Sequence, residues 1–488
     1  MTPVNASAGT ISYNPLLSGA PTSTLDATRM SSHTVAFSSE MPAATETVWA
    51  WHARPGAMER MVPHWEHVKV LKREGIFGDG HVVFEVSIGP LHHRWKAEYR
   101  DMVPGLQFSD VQTEGPFARW IHTHRFEPVS AARCRVTDQI EYELPFGAAG
   151  ELAAGSVEQR INRAFRFRHS TLRDDLLALS RHAAPGPRTI LVSGATGLLA
   201  RSLIPMLMAM GFRIRRLVRG EPGPEDVQWD PARGRLDPAA LEGIDAAIHL
   251  AGESIAGSRW TDARRQEILE SRTRGTTLLA ETLGRLRRPP RVMISASAIG
   301  IYGDRGNELL TEQTALRAGR DALFVEQVGH AWEAATEPAE RAGIRVVRSR
   351  MGLVLTPAGG ALASMLPPFQ AGVGGRMGSG AQYMSWISID DVIGAMHHIL
   401  LTDSLKGPVN LTAPTPVTNT EFAHTLGEVI GRPTIVPAPA VALRLALGDM
   451  ADELLLASSR VIPERLRESG YQFRHPDLEQ ALRHVLGR

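Results

Sequence analysis

The sequence has very little cysteine: Cys134 is the only one among 488 residues. No disulfide can therefore form within the chain, and nothing calls for an oxidising compartment. A dominant sign of charge is also missing, because 53 basic residues face 52 acidic ones and the formal net charge is +1. A nucleic-acid-binding protein normally carries a clear basic excess, so that class of protein is disfavoured.

Long hydrophobic runs are missing as well. The most apolar stretch of the second half, residues 198–210, contains Arg201 and Pro205 and is too short to span a bilayer. The first 33 residues lack the basic start and apolar core of a secretory signal and are rich in Ser, Thr, Ala and Pro, which predicts a disordered tail over 1–33. We therefore expect a cytoplasmic protein with no membrane span and no nucleic-acid partner, folded into two or three domains.

Residues 34–182 carry a helical stretch near 43–61, then short strands, then a long helix at 156–179, a pattern that predicts an α+β domain. The expected strands cover residues 68–72, 81–88, 94–101, 107–113, 119–127 and 133–144. This order resembles the helix-grip fold of START-like and polyketide cyclase/dehydrase (SRPBCC) proteins. The resemblance implies a cavity that takes an apolar small molecule or lipid.

Two prolines and a glycine mark residues 183–188 as a linker. Beyond it, over 189–488, strands alternate with helices, which predicts an α/β domain with a Rossmann-like, doubly wound parallel sheet and a C-terminal α/β extension. The expected strands of this sheet cover residues 189–193, 213–219, 246–250, 291–295 and 345–355.

A glycine turn follows the first of these strands and opens an apolar helix. Gly194 permits a tight turn, Gly197 lets the backbone approach a pyrophosphate, and the small Ala200 allows the helix to pack closely on the strand. The phosphates would then meet the N-terminus of the helix, where free N–H groups and the helix dipole favour negative charge. The strand–turn–helix order therefore predicts a dinucleotide site.

The end of the second strand decides between the two nicotinamide cofactors. A carboxylate there would bind the ribose hydroxyls of NAD, whereas an arginine can pair with the additional phosphate of NADP. Arg219 stands at this position, after Arg215 and Arg216, and it favours NADP(H). Glu221 lies close by and keeps NAD open as an alternative.

Several separate stretches from residue 189 onward resemble the atypical extended short-chain dehydrogenases of the NAD-dependent epimerase family, including the YfcH-like proteins. Besides the glycine turn, these stretches are His249–Glu253, Arg259–Thr261, Glu270–Arg272, Ser295–Gly303, Trp332–Glu333, Gly374–Gly380, Trp386–Asp391, Pro408–Leu411 and Asn419–Ala423. The resemblance implies a cofactor lined by residues at matching motif positions. These are Gly194, Ala195, Thr196, Gly197, Leu198, Leu199, Arg219, Leu250, Ala251, Gly252, Arg272 and Arg350.

The usual catalytic pair of that family is missing. Active members use a tyrosine and a lysine four residues later, which lowers the pKa of the phenol and orients the ribose. None of the six tyrosines is followed by lysine at that spacing, and Lys406 is the only lysine after Lys96. Ser297 matches the active-site serine, with Ala298 competing for the slot, and Tyr302 could supply a phenol. We therefore take Ser297 and Tyr302 as the catalytic candidates.

The histidines do not predict a metal site. His122 and His124 share one face of an expected strand, but zinc needs three or four convergent ligands, and no spacing in the sequence secures them. We interpret them as ordinary cavity or surface histidines and expect no metal.

Two functions remain open on the sequence. One is an NADP(H)-binding oxidoreductase or epimerase-like protein acting on a small substrate, and the sequence leaves open which substrate it is and whether it is apolar. The other is a non-catalytic NADP(H)-binding sensor or ligand carrier that uses the helix-grip cavity, and the missing Tyr/Lys pair favours it.

Overall fold

The computed structural model describes residues 31–89, 91–182, 188–256, 259–317, 319 and 322–488. The chain folds into two compact units that meet in sequence between Arg181 and His182. Residues 1–30 of the expected tail and residues 183–187 of the expected linker lie outside the described residues.

The first unit is an α+β fold with one antiparallel sheet of seven strands, in the order β1-β7-β6-β5-β4-β3-β2. The strands are β1 (Ser32–Met41), β2 (Val68–Ile76), β3 (Asp79–Ile88), β4 (Leu91–Val103), β5 (Gln107–Glu114), β6 (Arg119–Ser130) and β7 (Arg133–Glu143). The helices are α1 (Thr45–Ala53), α2 (Ala57–Arg60), α3 (Ala148–Glu151) and α4 (Ala154–Arg181). One helix lying on a curved antiparallel sheet is the helix-grip architecture that the strand pattern predicts.

Helix α4 packs on the sheet through its apolar stripe. Ile161 and Phe165 join Val35, Ile140 and Tyr142 in one buried cluster, which explains why apolar residues recur at helical spacing. The expected single helical stretch near 43–61 is instead two helices. Pro55 and Gly56 interrupt it, and Gly56 has a φ of 86°, a conformation that glycine adopts without strain.

The second unit is built on a sheet of eight strands, in the order β11-β10-β9-β8-β12-β13-β15-β19. These strands are β8 (Thr189–Ser193), β9 (Arg213–Val218), β10 (Asp226–Asp230), β11 (Arg235–Leu236), β12 (Ala246–His249), β13 (Val292–Ala298), β15 (Arg345–Met351) and β19 (Gly407–Leu411). All pairs are parallel except β10 with β11. The strand order reverses between β8 and β12, so this is a doubly wound Rossmann-like sheet with its switch point at their carboxyl ends.

Short strands outside this sheet form three pairs. They are β14 (Leu309–Leu310) with β21 (Arg460–Val461), β16 (Leu353–Leu355) with β18 (Trp386–Ser388), and β17 (Tyr383–Met384) with β20 (Val417–Thr418). The prediction of a single strand over 345–355 is therefore wrong. The structure has two strands there, β15 and β16, because the chain leaves the main sheet at Gly352. A Cβ there would lie 2.4 Å from the Ser385 carbonyl oxygen, so only glycine allows the approach that starts the second pair.

Helices cover both faces of the large sheet. The helices of this unit are α5 (Leu198–Ala209), α6 (Asp262–Gly284), α7 (Phe324–Ala334), α8 (Glu337–Arg341), α9 (Gly360–Gln370), α10 (Ile389–Leu401), α11 (Asn419–Ile430), α12 (Ala440–Leu447), α13 (Glu464–Glu468) and α14 (Leu478–Leu486). Helices α5 and α10 pack together, and so do α6, α7 and α8. Both faces of the parallel strands are thereby buried, which is why β8 and β12 read as continuous apolar runs.

Asp391, near the start of α10, has a structural role. Its carboxylate accepts a hydrogen bond from the Ser388 hydroxyl at 2.8 Å and from the backbone N–H groups of Arg474 at 2.7 Å and His475 at 3.0 Å. The side chain therefore attaches the C-terminal segment to the start of α10.

Within the described ranges, no helix has both the length and the apolar character that crossing a bilayer requires.

Candidate functional site

The glycine turn joins β8 to α5 at the switch point of the sheet. Gly194 has a φ of 68°, and the N–H of Gly197 donates to the Gly194 carbonyl oxygen at 2.8 Å. A Cβ at position 194 would lie 2.8 Å from the Ala251 nitrogen and from the Leu250 carbonyl carbon. Backbone therefore approaches backbone here, as a cradle for a pyrophosphate requires, and the residues present fit a dinucleotide.

The rest of the turn agrees with this fit. Thr196 and Gly197 are exposed, while Ala195, Leu198 and Leu199 are half-buried around them. Gly197 is the N-cap of α5, so the free N–H groups of the first helical turn begin beside it. Ala200 is fully buried and lets the helix pack closely on the sheet.

Ser193 and His249 link the ends of β8 and β12 beneath the turn. The Ser193 hydroxyl lies 2.7 Å from His249 Nδ1, and the Ser193 oxygen accepts the N–H of Leu250 at 3.1 Å. On its other side, His249 Nε2 lies 3.0 Å from the Thr276 hydroxyl. Burial lowers the pKa of His249 to about 4, so its imidazole is neutral and its two ring nitrogens play opposite hydrogen-bonding roles.

The pKa of His249 predicts a pH effect on stability. An unfolded histidine takes up a proton near pH 6.5, whereas His249 in the folded unit does so near pH 4. We therefore expect the free energy of unfolding to fall, by up to about 3 kcal/mol, as the pH drops from 6.5 to 4. His249→Gln should remove this part of the pH dependence, measured by hydrogen exchange of β8 and β13 peptides across that range.

The matched control for this experiment is His424→Gln. His424 is exposed on α11, so its replacement should leave the pH dependence of unfolding as it is in the original protein. Equal pH profiles for the His249→Gln variant and the original protein would show that His249 is not the group responsible.

Four arginines lie on β9 or at its end, and Arg215, Arg216 and Arg219 differ in what they contact. Arg215 donates to the Ala240 carbonyl oxygen at 2.7 Å, and Arg216 forms a two-bond ion pair with Asp226 at 2.6 and 2.8 Å. Arg219 is exposed one residue beyond β9, and across the described parts of the chain we find no ion pair or hydrogen bond of its side chain. Of the three, Arg219 is therefore the guanidinium available to a ligand at this edge of the sheet.

Arg272 lies at the same edge, on α6. Its guanidinium sits 4.9 Å from the centre of the Trp332 ring, and its N–H donates to the Ile268 carbonyl oxygen at 3.1 Å. Gly252, just after β12, faces it, since a Cβ there would lie 3.6 Å from Arg272 Cγ. Burial lowers the pKa of Arg272 to about 10, so it still carries its charge at neutral pH.

Ser297 and Arg350 are neighbours because β13 and β15 pair in register at these two residues. Both are buried, and the carboxylate of Glu333 on α7 holds them together. It accepts the Ser297 hydroxyl at 2.8 Å and two N–H groups of Arg350 at 2.7 and 2.8 Å. Burial alone would lower the pKa of Arg350, but Glu333 outweighs this effect and raises it.

Tyr302 belongs to the same network. Its phenol donates to Asn410 Oδ1 at 2.8 Å and accepts an N–H of Arg350 at 2.9 Å. Tyr302 is fully buried, and burial raises the pKa of its phenol although Arg350 opposes the change. Both catalytic candidates therefore use their hydroxyl groups inside the protein, in one network with Arg350.

Sequence reasoning missed the residues that complete these networks. Glu333 and His249 each stand in a stretch that carries the family resemblance, so a signal existed, but it did not show which side chains they bind. Asn410 also stands in such a stretch, Pro408–Leu411, but it lies on β19, more than 100 residues beyond Tyr302, and only the fold brings the two side chains together.

Comparison with family models agrees with both units. The model of the NAD dependent epimerase/dehydratase family matches residues 190–411, and that of polyketide cyclase / dehydrase and lipid transport matches residues 41–167. A third match, over residues 438–485, is to a domain of unknown function.

Named relatives match the second unit. An epimerase family protein of Mycobacterium bovis is 40% identical over 300 residues, which covers 61% of this chain and 98% of the relative. The human epimerase family protein SDR39U1 is 35% identical over 300 residues, which covers 61% of this chain and 99% of the relative.

Two solved structures are similar. A nucleoside-diphosphate sugar epimerase from Corynebacterium glutamicum has a TM-score of 0.76 and 31% identity, and the match covers 93% of this chain and 90% of that one, so it extends over both units. The human SDR39U1 protein (isoform 2), solved with NADPH, has a TM-score of 0.56 and 34% identity, covering 61% of this chain and 98% of that one.

Proposed function

Because the chain belongs to the NAD-dependent epimerase family, we propose that its second unit binds NADP(H) and acts as an oxidoreductase or epimerase-like protein on a small-molecule substrate. The observation that carries the proposal is the turn at Gly194. There, at the switch point of the sheet, a Cβ would collide with the backbone of residues 250–251.

The preference for NADP(H) rests on Arg219. Its exposed guanidinium stands at the end of β9, where an arginine can pair with the additional phosphate of NADP. Arg215 and Arg216 already bind protein groups, so the strand end offers one cation for this task. The NADPH in the structure of the human relative supports the same choice of cofactor.

Removing that cation should cost NADPH affinity selectively. A charge-assisted hydrogen bond contributes about 1.5–3 kcal/mol, so Arg219→Ala is expected to raise the Kd for NADPH about 10- to 100-fold. NADH lacks the additional phosphate, and its Kd should change less than threefold. Isothermal titration calorimetry with both dinucleotides measures the two values on the full-length protein.

Arg213→Ala is the matched control for Arg219→Ala. Arg213 is exposed at the other end of β9 and pairs with Glu225 at 2.7 Å, so its loss should leave both dinucleotide affinities unchanged. An Arg219→Ala variant that still prefers NADPH as the original protein does would overturn the assignment of Arg219.

In a catalytic reading, the bound nicotinamide supplies the capacity to take or give a hydride. The protein contributes orientation through the turn, Arg219 and the residues near Gly252, and Ser297 is the candidate that polarises the substrate oxygen. The Ser297 hydroxyl donates its hydrogen bond to Glu333 in the structure, so polarisation of a substrate by Ser297 requires that hydroxyl to turn away from Glu333. Turnover of NADPH with a panel of small carbonyl compounds, lost in Ser297→Ala, is the expected result.

A second candidate is a non-catalytic NADP(H)-binding sensor or carrier. The observation that favours it is the network itself, since the Ser297 and Tyr302 hydroxyls are both buried and both donate within the protein. The missing Tyr/Lys pair points the same way. Intact NADPH binding, with no change of the nicotinamide absorbance in the presence of any carbonyl compound of the panel, would select this reading over the catalytic one.

A further inference from the structure

The face of the antiparallel sheet that α4 covers holds a cluster of histidines and aspartates that the family resemblance does not account for. The central members are Asp110 on β5, His122 and His124 on β6, and Asp138 on β7. His122 pairs across the sheet with Asp110, and His124 pairs with Asp138, so all four side chains start from one face of three adjacent strands.

Three of these side chains converge on one point. Asp110 Oδ2 lies 3.0 Å from His122 Nδ1 and 3.4 Å from His124 Nε2, and all three atoms lie within 4.8 Å of one another. A tetrahedral ion with bonds of about 2.0–2.1 Å holds its ligand atoms about 3.3–3.4 Å apart, so the spacing is that of ligands around a small divalent cation. Two imidazoles and one carboxylate are the ligand types that zinc and its first-row neighbours take.

Asp138 supports both imidazoles from behind. His122 Nε2 lies 2.9 Å from Asp138 Oδ1, and His124 Nδ1 lies 2.6 Å from the same oxygen. The second carboxylate oxygen, Oδ2, is 2.6 Å from His169 Nε2 on α4, whose Nδ1 meets the Ser39 hydroxyl at 2.8 Å. A ligating histidine typically gives its other ring nitrogen to a carboxylate, which fixes the ring, and His122 has such a hydrogen bond to Asp138. His124 Nδ1 approaches the same carboxylate without a hydrogen bond.

The cluster is closed on one side and open on the other. The His122, His169 and Asp138 side chains are no more than 7% exposed, whereas Asp110 is 29% exposed. An ion can therefore enter past Asp110, and three protein ligands leave a fourth position for water or a ligand atom, as in catalytic rather than structural zinc sites.

We propose that Asp110, His122 and His124 form a binding site for a divalent first-row metal ion such as Zn²⁺. Asp138 and His169 position the two imidazoles. The open coordination position would take an oxygen or nitrogen atom of a ligand bound in the helix-grip unit, so that ligand carries a polar donor as well as apolar parts. This inference does not depend on NADP(H) binding by the second unit.

A proton is the competing occupant of the same cluster. Burial lowers the pKa of His122, but Asp110 and Asp138 outweigh it and raise the pKa to about 9. Without an ion, the residues would therefore form a network of hydrogen-bonded charges around a protonated His122. Metal titration of the intact protein distinguishes a metal site from a purely protonated network, because a cluster that holds only a proton takes up no added ion.

The test uses the full-length protein, freed of metal with a chelator and titrated with Zn²⁺ by calorimetry and with Co²⁺ by visible absorption. We expect one equivalent of Zn²⁺ per chain and a Co²⁺ d–d band of a nitrogen- and oxygen-ligated ion. Asp110→Asn and His124→Gln should each weaken Zn²⁺ binding at least 100-fold, and Asp138→Asn about 10- to 100-fold.

His92→Gln is the matched control, because His92 is exposed on β4 with Glu85 at 3.7 Å, a histidine–carboxylate pair at the surface. It should bind Zn²⁺ as the original protein does. Circular dichroism checks the fold of each variant. If Asp110→Asn unfolds, His124→Gln alone decides the test. The proposal is overturned if the original protein takes up no Zn²⁺, which would indicate the protonated network. It is also overturned if the folded ligand variants bind Zn²⁺ as well as the original protein does, which would indicate binding by surface histidines.

Discussion

Replacing Gly194 with alanine is expected to abolish measurable NADPH binding while the first unit stays folded. The φ of 68° costs an L-residue about 1–2 kcal/mol, and the added Cβ would stand 2.8 Å from the Ala251 nitrogen, a distance that real Cβ atoms do not show. Relief requires the turn to move away from the end of β12, which opens the cradle for the phosphates. Calorimetric titration with NADPH should show a Kd raised at least 100-fold.

The control for this variant lies close to the same site. Gly220 follows Arg219, is exposed, and has open space around an added Cβ, so Gly220→Ala should bind NADPH as the original protein does. Hydrogen exchange of β13 peptides would show whether the Gly194→Ala unit remains folded. Unchanged NADPH affinity in Gly194→Ala would remove the main support for the proposed function.

The turn could be predicted from the sequence because its determinants are local. A buried strand, two glycines and an apolar helix follow each other within residues 189–209. The glycines allow the tight turn that joins the strand to the helix, so a short stretch of sequence determines the whole motif. The alternation of strands and helices predicted the doubly wound sheet for the same reason. The strand β10 was missed, since only Val227 and Trp229 of its five residues are buried and the others are polar.

The networks could not be predicted because their members meet only in the fold. Ser297, Glu333 and Arg350 come from two strands and a helix, and only the register of β13 on β15 places them side by side. The same holds in the first unit. His122 and His124 are visible in the sequence as a pair, but the two aspartates that complete their surroundings stand on the neighbouring strands.

Glu333→Ala is expected to destabilise the second unit by about 3–5 kcal/mol, because it leaves the buried Arg350 without its carboxylate. The Arg350 and Glu333 side chains are 4% and 12% exposed, so water cannot replace the lost partner fully. Hydrogen exchange of β13 and β15 peptides under increasing denaturant gives the free energy of unfolding of this unit alone.

Glu281→Ala provides the surface comparison. Glu281 pairs with Arg285 on α6 at 3.1 Å, with both side chains well exposed, so its loss should cost less than about 1 kcal/mol. An effect of Glu333→Ala as small as this would show that the buried Arg350 does not depend on the Glu333 carboxylate.

Replacing both partners separates the structural role of Arg350 from its proposed role at the cofactor. The double variant Glu333→Met, Arg350→Met buries no unpaired charge, and it should therefore recover most of the stability lost in Glu333→Ala. If Arg350 also contacts the dinucleotide, the recovered protein should still bind NADPH at least tenfold more weakly. If its role is to hold Tyr302 and Glu333 in place, NADPH affinity should return together with stability, and Arg350 would no longer count as a cofactor ligand.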